Sequence, residues 1–243
     1  MFVISAGMPK SGSGYLYNAL NDLLAGSGGA DARNIKEKTE LGNILQWYNN
    51  NVDDLGFGNL FKLWKASRKY GAFVVKTHSP PSLASRWMAA LGMVKVVYSY
   101  RDPRDVILSA IDHGEKIRAA GENHTFASFT DVSASIPEVK TWIDIWRSFQ
   151  KEKNCLSIRY ETLLDEPGST LQSISDYLGL KANSDLLESI VQKYDRKNDQ
   201  GTKTGLHFNK AVAGRYKEMF TPEDQEVVRE SIGREITEMG YTF

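Results

Sequence analysis

Three short runs carry side chains whose types and spacing could do chemistry, and each follows an apolar run. The first is glycine-rich, residues 7–14 (GMPKSGSG), with Lys10 in its middle and a helix-like pattern after it. Free N–H groups and the helix dipole at a helix N-terminus favour negative charge, and an ammonium group adds to that preference. The run therefore predicts a site for a phosphate-bearing ligand. Its spacing fits neither a Walker A loop nor Gly-x-Gly-x-x-Gly.

The second run, residues 76–81 (KTHSPP), places Lys76 two residues before His78. A neutral imidazole, with an ordinary pKa of about 6.5, can accept a proton from a hydroxyl group at physiological pH. The alternative is a histidine that only hydrogen-bonds a turn. Because the residue follows a predicted strand and shares an edge of the sheet with the glycine-rich run, we interpret His78 as a candidate general base.

The third run, residues 97–109 (VYSYRDPRDVILS), joins a predicted strand to a predicted helix. A guanidinium group such as that of Arg101 can make a forked contact with a phosphate. Ser109 lies about two helical turns further on and can face the same side. The alternative is a junction with solvated charges. Asp102 before Pro103 is typical of a helix cap rather than of the magnesium ligand that a P-loop kinase requires.

The elements that must position these side chains alternate between strands and helices. Strands are predicted at 2–5, 71–76, 94–100 and 155–160, and helices at 15–24, 60–70, 82–91, 139–149, 169–180, 184–194 and from 221. This order predicts an α/β fold, a parallel sheet with helices on both faces, in one domain over residues 1–243. Ligands of such sheets bind at the carboxyl ends of the strands. That edge should carry Lys10, His78, Arg101 and Tyr160.

Composition limits the function classes. Thirty basic and thirty acidic residues give a net charge of zero, so we expect no nucleic-acid or membrane partner, although a local basic site remains possible. Cys155 is the only cysteine, which excludes an intrachain disulfide, and no apolar run could cross a bilayer. The chain opens in a strand without a signal-peptide pattern, so we expect a cytoplasmic protein. No metal-ligand spacing is apparent, and we expect no metal.

All three runs resemble motifs of one enzyme family. Residues 9–16 (PKSGSGYL) resemble the PKSGTTWL loop of sulfotransferases, residues 76–81 resemble that family's KTHLPP segment, and residues 97–109 resemble its second signature. The family's donor is 3'-phosphoadenosine 5'-phosphosulfate (PAPS), which leaves 3',5'-bisphosphoadenosine (PAP). The resemblance implies a P-loop-like architecture. It also implies sulfuryl transfer to a hydroxyl group or an amine of a small molecule.

The resemblance also implies roles for individual residues. His78 would be the catalytic base, assisted by Lys10, Lys76 and Ser109. The loop would hold the 5' end of the donor, Arg101 and Ser109 its 3'-phosphate, and Tyr160 would lie near the adenine. The residues implied in donor binding are Lys10, Ser11, Gly12, Ser13, Gly14, Tyr15, Arg101, Ser109, Tyr160, Lys210 and Arg215.

Residues 207–217 (HFNKAVAGRYK) are similar to the family's C-terminal Arg-Lys-Gly and Gly-Asp-Trp-Lys segment. Lys210 matches the lysine that closes over the 3'-phosphate. Asn209 replaces the arginine and Ala211 the glycine, so we expect Arg215 to compensate in holding this phosphate. Tyr15 likewise replaces the tryptophan that stacks on adenine but keeps an aromatic face.

Two alternative functions remain open, a P-loop nucleotide kinase and a non-catalytic module that binds an adenine nucleotide. The acceptor is not identified by any motif. Residues 26–70 and 112–135 match no family segment, and such regions usually build the acceptor pocket in this family. Aromatic candidates for its apolar wall are Trp47, Phe57, Trp87 and Phe126, although each could instead be part of the core.

Overall fold

The computed structural model describes residues 1–39, 41–46, 50–195 and 212–243. Its centre is a sheet of four parallel strands in the spatial order β2-β1-β3-β4. The strands are β1 (Phe2–Gly7), β2 (Val74–Thr77), β3 (Val94–Tyr100) and β4 (Cys155–Arg159). The predicted fold class is confirmed. The four predicted strands are present, with bounds that differ by at most three residues from the expected ones.

Helices connect the strands and surround the sheet. They are α1 (Ser13–Gly26), α2 (Ile35–Lys38), α3 (Phe57–Tyr70), α4 (Leu83–Ala90), α5 (Pro103–Ala119), α6 (Val132–Gln150), α7 (Tyr160–Asp165), α8 (Pro167–Leu178), α9 (Ser184–Lys193), α10 (Tyr216–Met219) and α11 (Pro222–Glu238). Short 3₁₀ turns cover Ala32–Asn34 and Thr125–Ser128. Within the described ranges, none of these helices combines the length and apolarity that a bilayer crossing requires.

Local sequence signals explain where several helices begin. The Asp102 carboxylate accepts the N–H of Arg104 at 3.0 Å and Pro103 occupies the first position of α5, as predicted. Two elements differ from the prediction. Helix α6 begins seven residues before the expected position 139, because Asp131 Oδ1 accepts the N–H of Ala134 at 2.8 Å and caps it there. Tyr160, expected as the last strand residue, begins α7 instead.

The core lies on both sides of β1 and β3, whose apolar side chains are buried. On α6, Trp142, Trp146 and Phe149 are buried, and the ring centres of Phe149 and Tyr98 are 4.7 Å apart. The outer edge of β2 is covered, since Val52 N–H donates to the Lys76 carbonyl at 2.8 Å. This contact protects the edge strand and fixes the backbone that carries Lys76 and His78.

Candidate functional site

The strand order arranges the predicted site residues along one edge of the sheet. All four strands run in parallel, so their carboxyl ends lie together. Following the sheet from β2 through β1 and β3 to β4, these ends lead into His78, Lys10, Arg101 and Tyr160. Neighbouring strands are about 4.8 Å apart, so the strands before His78 and Arg101 are separated by about 10 Å, with the glycine-rich loop between them.

The loop after β1 is held against the end of β3. Ser11 is fully buried, and its hydroxyl is 2.6 Å from the Met8 carbonyl and 2.9 Å from the hydroxyl of Ser99. A Cβ atom on Gly7 would lie 2.3 Å from the Ser99 oxygen, so the close approach of loop and strand requires glycine there. The Ser11 side chain therefore fixes the loop against β3. Its predicted contact with a donor stays a prediction.

Helix α1 begins without a side-chain cap. Its N-cap is Gly12, in a left-handed conformation with φ 74°, and among the described residues no side chain caps the helix and no acidic residue lies in its first turn. Side chains cap α4, α5, α6, α9 and α11, whereas α2, α3, α7, α8 and α10 also begin without a side-chain cap. The first N–H groups of a helix have no helical acceptor. The turn at residues 13–15, beside Lys10, can therefore bind an anion.

Tyr160 packs between the glycine-rich loop and Arg101. A Cβ atom on Gly12 would lie 2.5 Å from the Tyr160 ring, and the Arg101 guanidinium carbon is 4.5 Å from the centre of the same ring. Only glycine at position 12 leaves room for this arrangement. The Tyr15 ring, in the first turn of α1, is 5.8 Å from that of Tyr194, which the sequence did not indicate.

The ring of His78 is fixed by a hydrogen bond 2.7 Å long between Nδ1 and the carbonyl of Gly7. A carbonyl oxygen can only accept, so Nδ1 carries the proton and Nε2 is left as the proton acceptor. Burial, and then the charge of Lys76, lower the pKa of His78 to about 3, although the Gly7 hydrogen bond opposes them. The imidazole is therefore neutral at pH 7, in the tautomer that a general base needs.

Two lysines lie close enough to influence each other. Burial lowers the pKa of Lys10 to about 8, helped by Lys116 and Arg101 and opposed by Asp112. Burial also lowers the pKa of Lys76 to about 8, and the charge of Lys10 contributes. The Lys10 ammonium is 5.3 Å from the centre of the Phe126 ring. Two ammonium groups with lowered pKa values are stabilised by an anion placed between them.

Arg101 is almost fully buried, and protein groups already hold its outer nitrogens. One contacts the Val212 carbonyl at 2.8 Å and the Asp105 carboxylate at 3.2 Å, and the other lies 3.4 Å from the Lys10 carbonyl. Its Nε is buried with no hydrogen-bond partner in the described part of the chain. The side chain thus has a fixed position beside the loop, and its Nε remains as a donor for a ligand.

Two carboxylates that the sequence analysis did not single out attach the segment 212–216 to α5. The buried Asp105 accepts N–H groups of Gly214 at 2.6 Å and Tyr216 at 3.2 Å, besides its contact with Arg101. Asp112 pairs with Arg215 at 2.8 Å. Their spacing was a usable signal, because residues 105 and 112 lie on one face of a helix together with the predicted Ser109.

The remaining predicted residues divide into three groups. Ser109 is buried on the face of α5 just described, and its predicted role at the donor stays a prediction. Lys210 and Trp47 fall outside the described residues, so their roles stay predictions. Phe57 and Trp87 were candidates for a pocket wall or for the core, and the structure leaves both side chains exposed. No group of histidine, cysteine or carboxylate side chains among the described residues could hold a metal ion.

Comparisons with known proteins agree with this geometry. The family model of the sulfotransferase domain matches residues 2–240. Rat sulfotransferase 2A6 is 28% identical over 146 residues, and rat sulfotransferase 2A1 is 26% identical over 194. These alignments cover 58% and 71% of this chain but 48% and 65% of the relatives. The chain therefore spans about half to two-thirds of the length of these relatives.

Solved structures show the same fold at lower identity. Mouse sulfotransferase SULT7A1, complexed with PAP, superposes with a TM-score of 0.62 at 19% identity, over 98% of this chain and 88% of that one. Retinol dehydratase, in a complex with retinol and PAP, superposes with a TM-score of 0.63 at 21% identity, over 100% and 83%. Since the domain match extends over nearly the whole sequence, this chain belongs to the sulfotransferase family.

Proposed function

We propose that this protein transfers a sulfuryl group from PAPS to a hydroxyl group, or an amine, of a small-molecule acceptor. One observation carries the proposal. The His78 ring is held by Gly7 with Nε2 as proton acceptor, on the strand next to the loop that leads into the uncapped start of α1. A proton acceptor beside an anion site is the pair that this transfer requires. A cytoplasmic location remains a prediction.

The donor would lie along the carboxyl edge of the sheet. The N–H groups at residues 12–15 and the dipole of α1 would hold its 5'-phosphate. Arg101, Ser109 and Arg215 would surround the 3'-phosphate, and we still expect Lys210 to contribute. Arg215 supports this placement, because one of its terminal nitrogens is buried with no partner among the described residues. Tyr160 and Tyr15 offer aromatic faces for the adenine.

The chemistry would be an in-line displacement at sulfur. His78 Nε2 removes the acceptor's hydroxyl proton while the acceptor oxygen forms a bond to sulfur. The bond between sulfur and the bridging oxygen breaks, and that oxygen leaves with its electron pair on the 5'-phosphate of PAP. Lys10 neutralises the charge developing on the bridging oxygen, and Lys76 stabilises the sulfuryl oxygens. The negative donor would raise the pKa of His78 and so strengthen the base.

The direct test combines the protein with PAPS and a panel of phenols, alcohols and amines. Products are detected by mass, with formation of PAP as a second signal. We expect a sulfated product without added magnesium. Phosphoryl transfer from ATP that depends on magnesium would support the kinase alternative. PAP binding without transfer to any acceptor in a broad panel would support the non-catalytic module.

Binding of PAP should take up protons at about pH 8 to 9. Burial lowers the pKa values of Lys10 and Lys76 to about 8, with smaller contributions from Lys116 and Arg101 at Lys10 and from Lys10 at Lys76. An anion bound near both ammonium groups would raise both values. PAP affinity should therefore fall as the pH rises through this range. Calorimetry in buffers of different ionisation enthalpy measures the uptake. Lys76→Met should reduce it, whereas the exposed Lys151→Met should not; an uptake unchanged in Lys76→Met would contradict the assignment.

The same two lysines should make stability depend on pH. Their folded pKa values of about 8 lie below the ordinary 10.5, so the unfolded chain binds more protons between these values. Where the unfolded state binds more protons, the free energy of unfolding increases with pH. The lysine contribution should therefore increase from about pH 8 to 10. Urea titrations of the wild type and Lys76→Met at several pH values measure the contribution of this lysine. If the free energy of unfolding had the same pH slope in both proteins, the prediction would be contradicted.

Asp105→Ala should weaken PAP binding by roughly tenfold to a hundredfold, because it leaves buried Arg101 without its carboxylate and releases the N–H groups of Gly214 and Tyr216. The affinity for adenosine 5'-phosphosulfate, which lacks the 3'-phosphate, should change less. Calorimetry with both nucleotides measures this difference. The matched control is Asp144→Ala, which removes an exposed carboxylate paired with Arg147. An equal loss for both nucleotides would show that Asp105 does not act through the 3'-phosphate.

A further inference from the structure

Helix α4 presents a stripe of large apolar side chains to solvent. Leu83, Trp87 and Leu91 are 76%, 72% and 69% exposed. Their spacing of four residues places them on one face of the helix. On the neighbouring helix, Phe57 is 62% exposed. The described chain has seven exposed large apolar side chains, and these four lie on α3, on α4 or, in the case of Leu91, directly after α4. Such clustering marks an interaction surface.

The same two helices are basic and lack acidic residues. Residues 55–101 contain eight lysines and arginines but no aspartate or glutamate, in a chain whose net charge is zero. Four of these basic residues are exposed on α3: Lys62, Lys65, Arg68 and Lys69. On α4, Arg86 is the exception, because it pairs with Glu152 at 2.8 Å. A chain with a net charge of zero therefore has a local positively charged surface.

Helices α3 and α4 pack against each other. They contact each other, and Ser82 at the start of α4 donates a hydrogen bond of 2.6 Å to the Leu55 carbonyl, two residues before α3. Phe57 and Leu83, the first residues of the two helices, therefore lie at the same end. Along α3, Phe57, Phe61 and Trp64 form a stacked row, with successive ring centres 5.7 and 5.5 Å apart. We name eight exposed apolar and basic side chains of these helices and of Leu91 the α3–α4 surface. They are Phe57, Lys62, Lys65, Arg68, Lys69, Leu83, Trp87 and Leu91.

We infer that the α3–α4 surface binds the surface of an anionic phospholipid bilayer. Aromatic and leucine side chains next to lysines, on helices that contain no aspartate or glutamate of their own, are typical of helices that lie in a membrane interface. Tryptophan prefers the headgroup level, and each basic side chain near an anionic leaflet strengthens binding by about fivefold. The nearest acidic side chains in sequence, Asp53 and Asp54, precede α3, and Asp54 accepts the N–H of Gly56. This inference does not depend on the proposed function.

An acidic protein is the competing partner. A protein partner would bind by shape as well as charge, whereas the α3–α4 surface offers repeated apolar and basic groups on exposed helices. Such chemistry suits a fluid, negatively charged surface better than a defined groove. A second copy of this chain is disfavoured, because lysines of two copies would face each other without carboxylates between them.

Sedimentation with lipid vesicles tests the inference on the full chain. We expect binding to vesicles of phosphatidylcholine and phosphatidylserine, little binding to phosphatidylcholine alone, and release by salt. The variant Lys62→Glu/Lys65→Glu/Lys69→Glu should lose at least tenfold in vesicle affinity. The control Lys140→Glu/Lys181→Glu/Arg234→Glu makes the same charge change at exposed basic residues outside α3 and α4 and should bind normally. Thermal melting checks that both variants are folded.

A second variant separates apolar insertion from charge attraction. Leu83→Ala/Leu91→Ala should also weaken vesicle binding. Quenching of Trp87 fluorescence by brominated lipid should disappear in Trp87→Phe. Three results would overturn the inference: no binding of the wild type to phosphatidylserine vesicles, an equal loss in the control variant, or a dimer in solution that Leu83→Ala/Leu91→Ala converts to monomer while vesicle binding stays absent.

Discussion

His78→Ala should lower kcat by a factor of about 10² to 10⁴ and leave PAP affinity within a few fold. The alanine removes the nitrogen that accepts the proton but leaves the α1 turn and Arg101 in place. Steady-state kinetics with PAPS, together with calorimetry of PAP binding, measures the two effects separately. Near-normal turnover in this variant would remove His78 from the mechanism. An equal loss of PAP binding would give it a structural role instead.

His78→Asn is the matched variant for this test. Its amide can donate to the Gly7 carbonyl, as Nδ1 does in the wild type, but it cannot act as a base at neutral pH. Turnover should therefore stay low even if the loop is preserved. The wild-type pH profile gives an independent check. With the pKa of His78 lowered to about 3, protonation of this ring should not reduce kcat/KM between about pH 5 and 7.

Gly12→Ala should weaken PAP binding by on the order of a hundredfold and destabilise the fold by about 1–3 kcal/mol. The backbone at this position has φ 74°, which costs energy for any residue with a Cβ atom. The new Cβ would also lie 2.5 Å from the Tyr160 ring and would force it away from the loop and from Arg101. Calorimetry of PAP binding and urea unfolding measure the two effects.

Gly28→Ala is the matched control for this prediction. Gly28 has φ 86°, and a Cβ atom there would meet no atom within 4 Å. Its alanine variant should lose a similar stability from the backbone alone, while PAP affinity stays normal. The difference between the two variants therefore isolates the contact with Tyr160. PAP affinity that is unchanged in Gly12→Ala would show that the position of this ring does not matter for the donor.

The sequence was sufficient to predict a parallel sheet and the edge at which its site residues lie. Continuous apolar runs followed by polar ends identify parallel strands, and in a parallel sheet such ends meet at one edge. Lys10, His78 and Arg101 could therefore be placed together before any coordinates were known. The cap of α5 was equally local, because Asp102 and Pro103 act within one turn.

The contacts between distant segments could not be predicted in this way. Asp105 binds Gly214 and Tyr216, more than one hundred residues away, and no local pattern relates these positions. The start of α6 was missed because its polar first turn resembles a loop until the Asp131 cap is known. Phe57 and Trp87 were named as candidates for a pocket wall or the core by residue type alone. Large apolar side chains are often buried, but the rule does not hold for each one.

The uncapped first turn of α1 also provides a way to observe this protein before its acceptor is known. Backbone amides at residues 13–15 have no helical acceptor, so a bound phosphate would become their hydrogen-bond partner. In a ¹⁵N-labelled sample, these resonances should shift downfield on addition of PAP, and their deuterium exchange should slow. Three backbone probes would thus report nucleotide occupancy residue by residue.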